Sequence, residues 1–276
     1  MTRRLKLMTS LSTLAAASAL TVAGCGGEGE GEGGETEGDK AGSSISAEGE
    51  GLSAESEGEG ESEGENAAGS GDPATDDVEY MRLLGLVRGH LIAFLELYQS
   101  GAAASAMMHV KHPESELYGT LTPAISARGQ YGFAEELTAL ASAADTGGDV
   151  NDAFSDVIEA LNAHAPAANV ATQLMAVSAI VRTAADEFDI GVDDDGLISN
   201  AHEYQDAYGF LVSSREIVSG ITTTDVNEVE AIDVAQEQIG LALDAFDSLT
   251  AGETEGQPST LYGAAARIEI AARGLM

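Results

Sequence analysis

From Val78 onward, apolar residues recur along the chain with the spacing of amphipathic α-helices. The first helix is predicted over Asp77 to Ser100, where apolar positions three and four residues apart share one face. Gly101 is a typical end for this helix, because glycine adopts the left-handed conformation at a helix C-terminus without strain. No stretch alternates apolar and polar residues long enough to predict a strand. The predicted fold class for residues 77–276 is an all-α, antiparallel helical bundle.

The same spacing predicts the helices that follow. Ala102–Val110 is expected to fold back on the first helix, and Pro113 favours the start of another, because proline is tolerated in a first helical turn. Further helices are predicted over Phe133–Ala144, Asp149–Ala163, Ala167–Ile190, Asn200–Ser219, Asp225–Leu249 and Ser259–Arg273. A region of about two hundred residues can bury one sizeable core or two small ones.

The N-terminal residues follow a different pattern. Arg3, Arg4 and Lys6 precede an uncharged apolar run from Leu7 to Val22, which is short for a transmembrane span. The run ends in Val22-Ala23-Gly24-Cys25, which resembles the lipobox of bacterial lipoproteins. The alternative is a buried N-terminal helix with one inert cysteine.

The lipobox resemblance implies that residues 1–24 form a signal peptide that is cleaved before Cys25. It also implies diacylglycerol on the cysteine sulfur and, in many bacteria, a fatty acid such as palmitate on the new N-terminus. Two or three acyl chains give a stable membrane anchor, since each buried methylene contributes about 0.8 kcal/mol. An aspartate directly after the lipidated cysteine resembles an inner-membrane retention signal. This chain has Gly26 at that position, so the expected location is the periplasmic face of the outer membrane. Cys25 is the only cysteine, which excludes an internal disulfide.

Residues 25–76 join the lipidated Cys25 to the predicted bundle and consist mainly of glycine, glutamate, serine and alanine. Glycine raises the entropy of the chain and like charges repel, so this stretch is predicted to be a disordered acidic tether. A flexible chain of this length has a root-mean-square span of about 40 Å. Diffuse cation binding by its glutamates is an alternative role.

The whole chain has 47 acidic and 12 basic residues, which gives a net charge of −35. This charge argues against nucleic acid and anionic lipid surfaces as partners, and it permits cations or basic protein surfaces. The acidity also has a simpler explanation in solubility, for example in a salty habitat. The expected partners are membrane lipid, through the acyl chains on Cys25, and an envelope protein.

A candidate metal site lies at the turn after the first helix. His90 faces the core side of that helix, and His109 and His112 are three residues apart on the next one. If the second helix folds back, His90 approaches them with Glu116 nearby, and these nitrogen and oxygen ligands suit iron or zinc. The alternative is that each histidine bonds a backbone carbonyl.

A second acidic motif resembles part of a calcium-binding EF-hand loop. Asp193 and Asp195 precede Gly196 as in such a loop, but both ends of the coordination sphere fail, and Glu203 comes one residue late. A solvated turn is the favoured interpretation, and calcium binding through Asp193, Asp195 and Glu203 is not expected. Motifs for serine hydrolases, phosphate loops, zinc proteases and covalent haem are all missing, so we expect no catalysis.

Two passages resemble iron-uptake proteins. The first contains Gly89-His90-Leu91 and His109-x-x-His112-Pro113, and it is similar to periplasmic helical proteins that accompany iron uptake. The second runs from Asp186 to Phe210 and resembles the extracytoplasmic helical region of some bacterial ferric-iron permeases. Together with the lipobox, this resemblance implies a lipid-anchored accessory binding module for iron or another cation. The alternative is a metal-free structural or protein-interaction lipoprotein of the envelope.

Overall fold

The computed structural model describes residues 71–113 and 117–276, apart from the side chain of His112. The predicted signal peptide, Cys25 and the acidic tether lie outside these residues. Within the described ranges the regular structure is helical, with only two isolated β-bridges, and the all-α fold class is confirmed. No helix in this part of the chain has both the length and the apolar character needed to cross a bilayer.

The helices are numbered here in chain order. They are α1 (Asp77–Ser100), α2 (Ala103–His112), α3 (Tyr118–Ala127), α4 (Ala134–Thr146), α5 (Val150–His164), α6 (Val170–Gly191), α7 (Ala201–Gly220), α8 (Val226–Leu243) and α9 (Pro258–Arg273).

Helix α1 is buried along most of its length. It begins after Asp76, whose carboxylate accepts hydrogen bonds from the amides of Val78 and Glu79. It ends as predicted at Gly101, whose φ of 87° turns the chain so that α2 packs back along α1. The apolar spacing predicted one buried face, but α1 is buried almost all round, because α2, α5, α6 and α7 all contact it.

The last four helices form a closed bundle. Each of α6, α7 and α8 packs against its successor, and α9 packs back against α6. Helix α1 lies against α6 and α7, so its core residues join those of the bundle in one hydrophobic cluster. The chain from α1 to α9 therefore buries a single large core.

Most predicted helix ends lie within three residues of the described ones, but the end of α8 differs by six. Helix α8 ends at Leu243 instead of Leu249, because the chain beyond it pairs with the loop between α6 and α7. Thr254 donates its amide hydrogen to the carbonyl of Gly196 at 2.9 Å, a contact that a continued helix would not make. The next described α-helix begins at Tyr118, and residues 114–116 lie outside the described ranges, so the helix start at Pro113 stays a prediction.

Candidate metal centre

Asp206 on α7 lies at the centre of a buried polar cluster. Its Oδ1 is 2.6 Å from Nδ1 of His90 on α1 and 2.8 Å from Nδ1 of His109 on α2. All three side chains are at most 1% exposed. Three helices therefore meet at one carboxylate oxygen.

A close approach of two helix backbones positions this cluster. Gly89, next to His90, touches Gly209, which is one turn after Asp206: a Cβ on Gly209 would lie 2.2 Å from the carbonyl oxygen of Gly89. Only glycine allows α1 and α7 to come so close. Helix α2 runs back along α1 and brings His109 to the same carboxylate.

The carboxylate of Asp206 is held in its ionised form. Burial by itself would raise the pKa of Asp206, but the charges of His90 and His109 and their hydrogen bonds hold this pKa well below its usual range. A buried anion is costly unless positive charge compensates it. The compensating charge can come from protonated histidines or from a bound cation.

The hydrogen bonds of His109 determine which of its nitrogens can bind a metal. Its Nε2 lies 2.9 Å from Oε1 of Gln205, and Nε2 of Gln205 donates to the carbonyl of Leu249 at 2.9 Å. Because that amide nitrogen is engaged, the oxygen of Gln205 faces His109 and accepts its Nε2 proton. Nδ1 of His109 is then free of a proton when a metal is bound, and outer hydrogen bonds of this kind commonly orient metal ligands.

A third histidine extends the cluster on the other side of Asp206. The ring of His202 stacks on that of His109, with centroids 4.4 Å apart and an interplanar angle of 17°. Its Nδ1 is 3.6 Å from Oδ2 of Asp206 and 4.0 Å from Oε1 of Glu203. Burial lowers the pKa of His202, but its interactions with Glu203 and Asp206 outweigh burial, so this pKa is raised overall.

The donor atoms fit a transition-metal cation. His90, His109 and Asp206 offer two imidazole nitrogens and a carboxylate oxygen that all lie within 4.8 Å of one another. Such a set suits iron or zinc. Ligands bonded to one such ion at about 2.1 Å are about 3.3 Å from each other, so a bound ion would move these side chains apart by less than about 1 Å.

The structure brings together some of the residues predicted for this site. His90 and His109 meet, as the predicted fold-back of α2 requires. His112 ends α2, but its side chain lies outside the described residues, and so does all of Glu116. Their place in a metal site stays a prediction.

The residues of the EF-hand-like motif differ in burial and in their hydrogen-bond partners: Asp193 and Asp195 are exposed, whereas Glu203 is buried. Oδ1 of Asp193 accepts hydrogen bonds from the amides of Asp195 and Leu197 at 3.0 and 2.9 Å, and so closes the turn between α6 and α7. Glu203 lies on α7 within the buried cluster, beside His202. The acidic turn and Glu203 therefore serve different parts of the fold.

Asp206 and Gln205 were not recognised as site residues from the sequence. His202 and Asp206 are four residues apart on α7 and so share one helix face, which is a signal that the sequence does contain. The acidic character of the chain hides this signal, because similar pairs of polar residues occur on many exposed helix faces.

Residues 165–276 match the family model described as "Iron permease-associated 4-helix bundle domain". The match spans α6 to α9, the helices that form the closed bundle, and includes His202, Glu203 and Asp206. His90 and His109 lie outside it. Comparison with curated proteins and with solved structures gives no match. The match supports the resemblance of this helical region to iron-permease-associated domains.

Proposed function

We propose that this protein is a lipid-anchored accessory module of the cell envelope that binds iron or another transition-metal cation. The observation that carries the proposal is the contact of two buried histidine Nδ1 atoms with one buried carboxylate oxygen, that of Asp206. The match of residues 165–276 to an iron permease-associated domain supports iron as the cation and uptake as the process. The proposal contains no catalytic step.

The negative charge of the cluster favours a bound cation over a cluster that is held together by hydrogen bonds alone. Asp206 and Glu203 contribute two carboxylates at positions that are at most 5% exposed. Without a cation, Nδ1 of His109 needs a second proton to bond Asp206, since its Nε2 proton is already donated to Gln205. One divalent ion would balance both carboxylates with neutral histidines, which are the ligand form of imidazole.

Metal content and thermal stability test this proposal. The full chain, purified without a polyhistidine tag and treated with chelator, is titrated with Fe²⁺ under anaerobic conditions and with Zn²⁺. We expect one tightly bound equivalent and a rise in melting temperature, because an ion that binds only the folded state stabilises it. In Asp206→Asn and His109→Gln both effects should be lost.

His164 provides a matched control for these variants. It is a buried histidine whose Nδ1 and Nε2 both lie 2.7 Å from backbone carbonyl oxygens, those of Ala160 and Tyr131. His164→Gln should lower stability without changing metal binding. If no ion binds tightly to the wild-type chain and none changes its melting temperature, the metal-binding function is wrong.

Lipid anchoring is tested separately. We expect Cys25→Ser to move the protein from the membrane fraction to the soluble periplasmic fraction, because the acyl chains on the cysteine sulfur supply the anchor. Recovery of the variant in the membrane fraction at the wild-type level would contradict the lipobox interpretation. Metal binding by the purified chain does not depend on this result.

An open groove favours the alternative function, a metal-free interaction protein of the envelope. It has a volume of about 570 Å³ and lies between α8 and α9, where Val234, Ile270 and Leu275 line it. Ile270 is 70% exposed. Exposed apolar surface of this kind is typical of docking sites. If the metal titrations fail, loss of an envelope cross-link in Ile270→Asp would support this alternative.

A further inference from the structure

The second oxygen of Asp206 points to a further position for a cation. Oδ2 is buried and accepts no hydrogen bond from the residues that the structure describes. Nδ1 of His202 lies 3.6 Å from it, which is too long for a hydrogen bond. A buried carboxylate oxygen without a hydrogen bond lowers the stability of the fold, so a bound cation at this atom would be stabilising.

His202 and Glu203 complete a set of ligands around Oδ2. The ligand atoms of His202, Glu203 and Asp206 lie within 4.8 Å of one another, and each of these residues is buried or nearly so. The separations from Nδ1 of His202 to Oδ2 of Asp206 (3.6 Å) and to Oε1 of Glu203 (4.0 Å) leave more room between the atoms than the 2.6 and 2.8 Å found at Oδ1. An ion fits between them without forcing the side chains far apart.

The stacked imidazoles of His109 and His202 support two adjacent positions. Their rings are nearly parallel and 4.4 Å apart, and each presents Nδ1 to a different oxygen of Asp206. Metal ions in two-metal sites are about 3.5–4 Å apart, which is close to this ring separation. The geometry therefore matches a carboxylate that bridges two ions.

We propose that Asp206 bridges two cations, one held with His90 and His109 and the other with His202 and Glu203. This inference rests on the proposed function, because it adds a second position to the same site. Two divalent ions bring more positive charge than Asp206 and Glu203 can neutralise. The second ion should therefore bind more weakly than the first.

Titration with Mn²⁺ followed by electron paramagnetic resonance tests the bridge. Excess Mg²⁺ is added to compete with Mn²⁺ for weak binding to the glutamates of the acidic tether. The wild-type chain should bind two Mn²⁺ and show the hyperfine pattern of a coupled pair, since ions bridged by one carboxylate interact magnetically. Glu203→Gln should lose the weaker ion and show only the pattern of an isolated ion.

Asp186→Asn is the matched control, because Asp186 is a partly buried carboxylate that accepts a hydrogen bond from Tyr262 at 2.7 Å. This variant should keep two coupled ions. A single isolated Mn²⁺ in the wild-type chain would overturn the bridge and leave the proposed function standing. If Mn²⁺, Fe²⁺ and Zn²⁺ all fail to bind tightly, both proposals are wrong.

Discussion

A methyl group at position 209 tests whether the contact between α1 and α7 sets the geometry of the metal centre. In Gly209→Ala, the added Cβ would lie 2.2 Å from the carbonyl oxygen of Gly89 and 2.9 Å from its carbonyl carbon. Cβ contacts under 3.0 Å are essentially never found, and here the neighbour is backbone that cannot rotate away. The two helices must therefore separate by about 1 Å, because packed interiors do not absorb such an overlap.

The expected cost has three parts. Overpacking of a core costs about 1–3 kcal/mol. A separation of about 1 Å would break the 2.6 Å hydrogen bond between His90 and Asp206, and a bond to a charged group contributes about 1.5–3 kcal/mol. Alanine regains about 1 kcal/mol through its higher helix propensity. Gly209→Ala should therefore lower the free energy of unfolding by about 1.5–5 kcal/mol.

Urea denaturation of the metal-free chain measures this change, and a Zn²⁺ titration of the same variant should show weaker binding. Gly240→Ala is the control, because Gly240 is exposed on α8 and a Cβ there would meet nothing within 4 Å. The control should gain up to about 1 kcal/mol and keep its metal affinity. Wild-type stability and affinity in Gly209→Ala would refute the role given to this contact.

Three further predictions concern buried charges and pH. Asp206→Asn should lower the free energy of unfolding of the metal-free chain by about 3–5 kcal/mol, because two buried histidines lose their shared carboxylate. An unchanged midpoint of urea denaturation would contradict this prediction. Arg82, whose side chain is 2% exposed, donates to Glu79 at 2.7 and 2.9 Å. Arg82→Met should lower the free energy of unfolding by about 3–5 kcal/mol in urea denaturation, because it leaves the carboxylate of Glu79 without its partner. The double variant Arg82→Met/Glu79→Leu should lose less stability than Arg82→Met, and an equal or larger loss would contradict the coupling of the two residues. Burial and the hydrogen bond to Asp186 raise the pKa of Tyr262. The stability from this shift is complete below about pH 10 and is lost as pH rises further, so Tyr262→Phe should lose less stability than the wild type between about pH 10 and 12. Equal losses in urea curves across this range would disprove the coupling.

Local signals in the sequence were sufficient to predict most helices. The first helix was placed at Asp77–Ser100 because an apolar repeat runs through it and Gly101 follows it directly; the structure adds Asp76 as its N-cap. The end of α8 could not be predicted in this way. Its last turn is replaced by pairing between Thr254 and Gly196, which are far apart in the sequence.

For the metal centre too, local sequence signals indicated some residues and missed others. Apolar periodicity placed His90 on the core side of α1, and Gly101 indicated that α2 folds back to bring His109 near. Asp206 could not be identified, because it is 116 residues from His90 and 97 from His109, and periodicity relates only positions within one helix.

The sequence by itself determined that this part of the chain is helical, where most of its helices begin and end, and that His90 faces the core. It also supplied the basic start, apolar run and Cys25 on which the anchoring proposal rests. The tertiary structure decided which carboxylate His90 meets. That choice depends on the contact of Gly89 with Gly209, because only a close crossing of α1 and α7 brings His90 within 2.6 Å of Asp206.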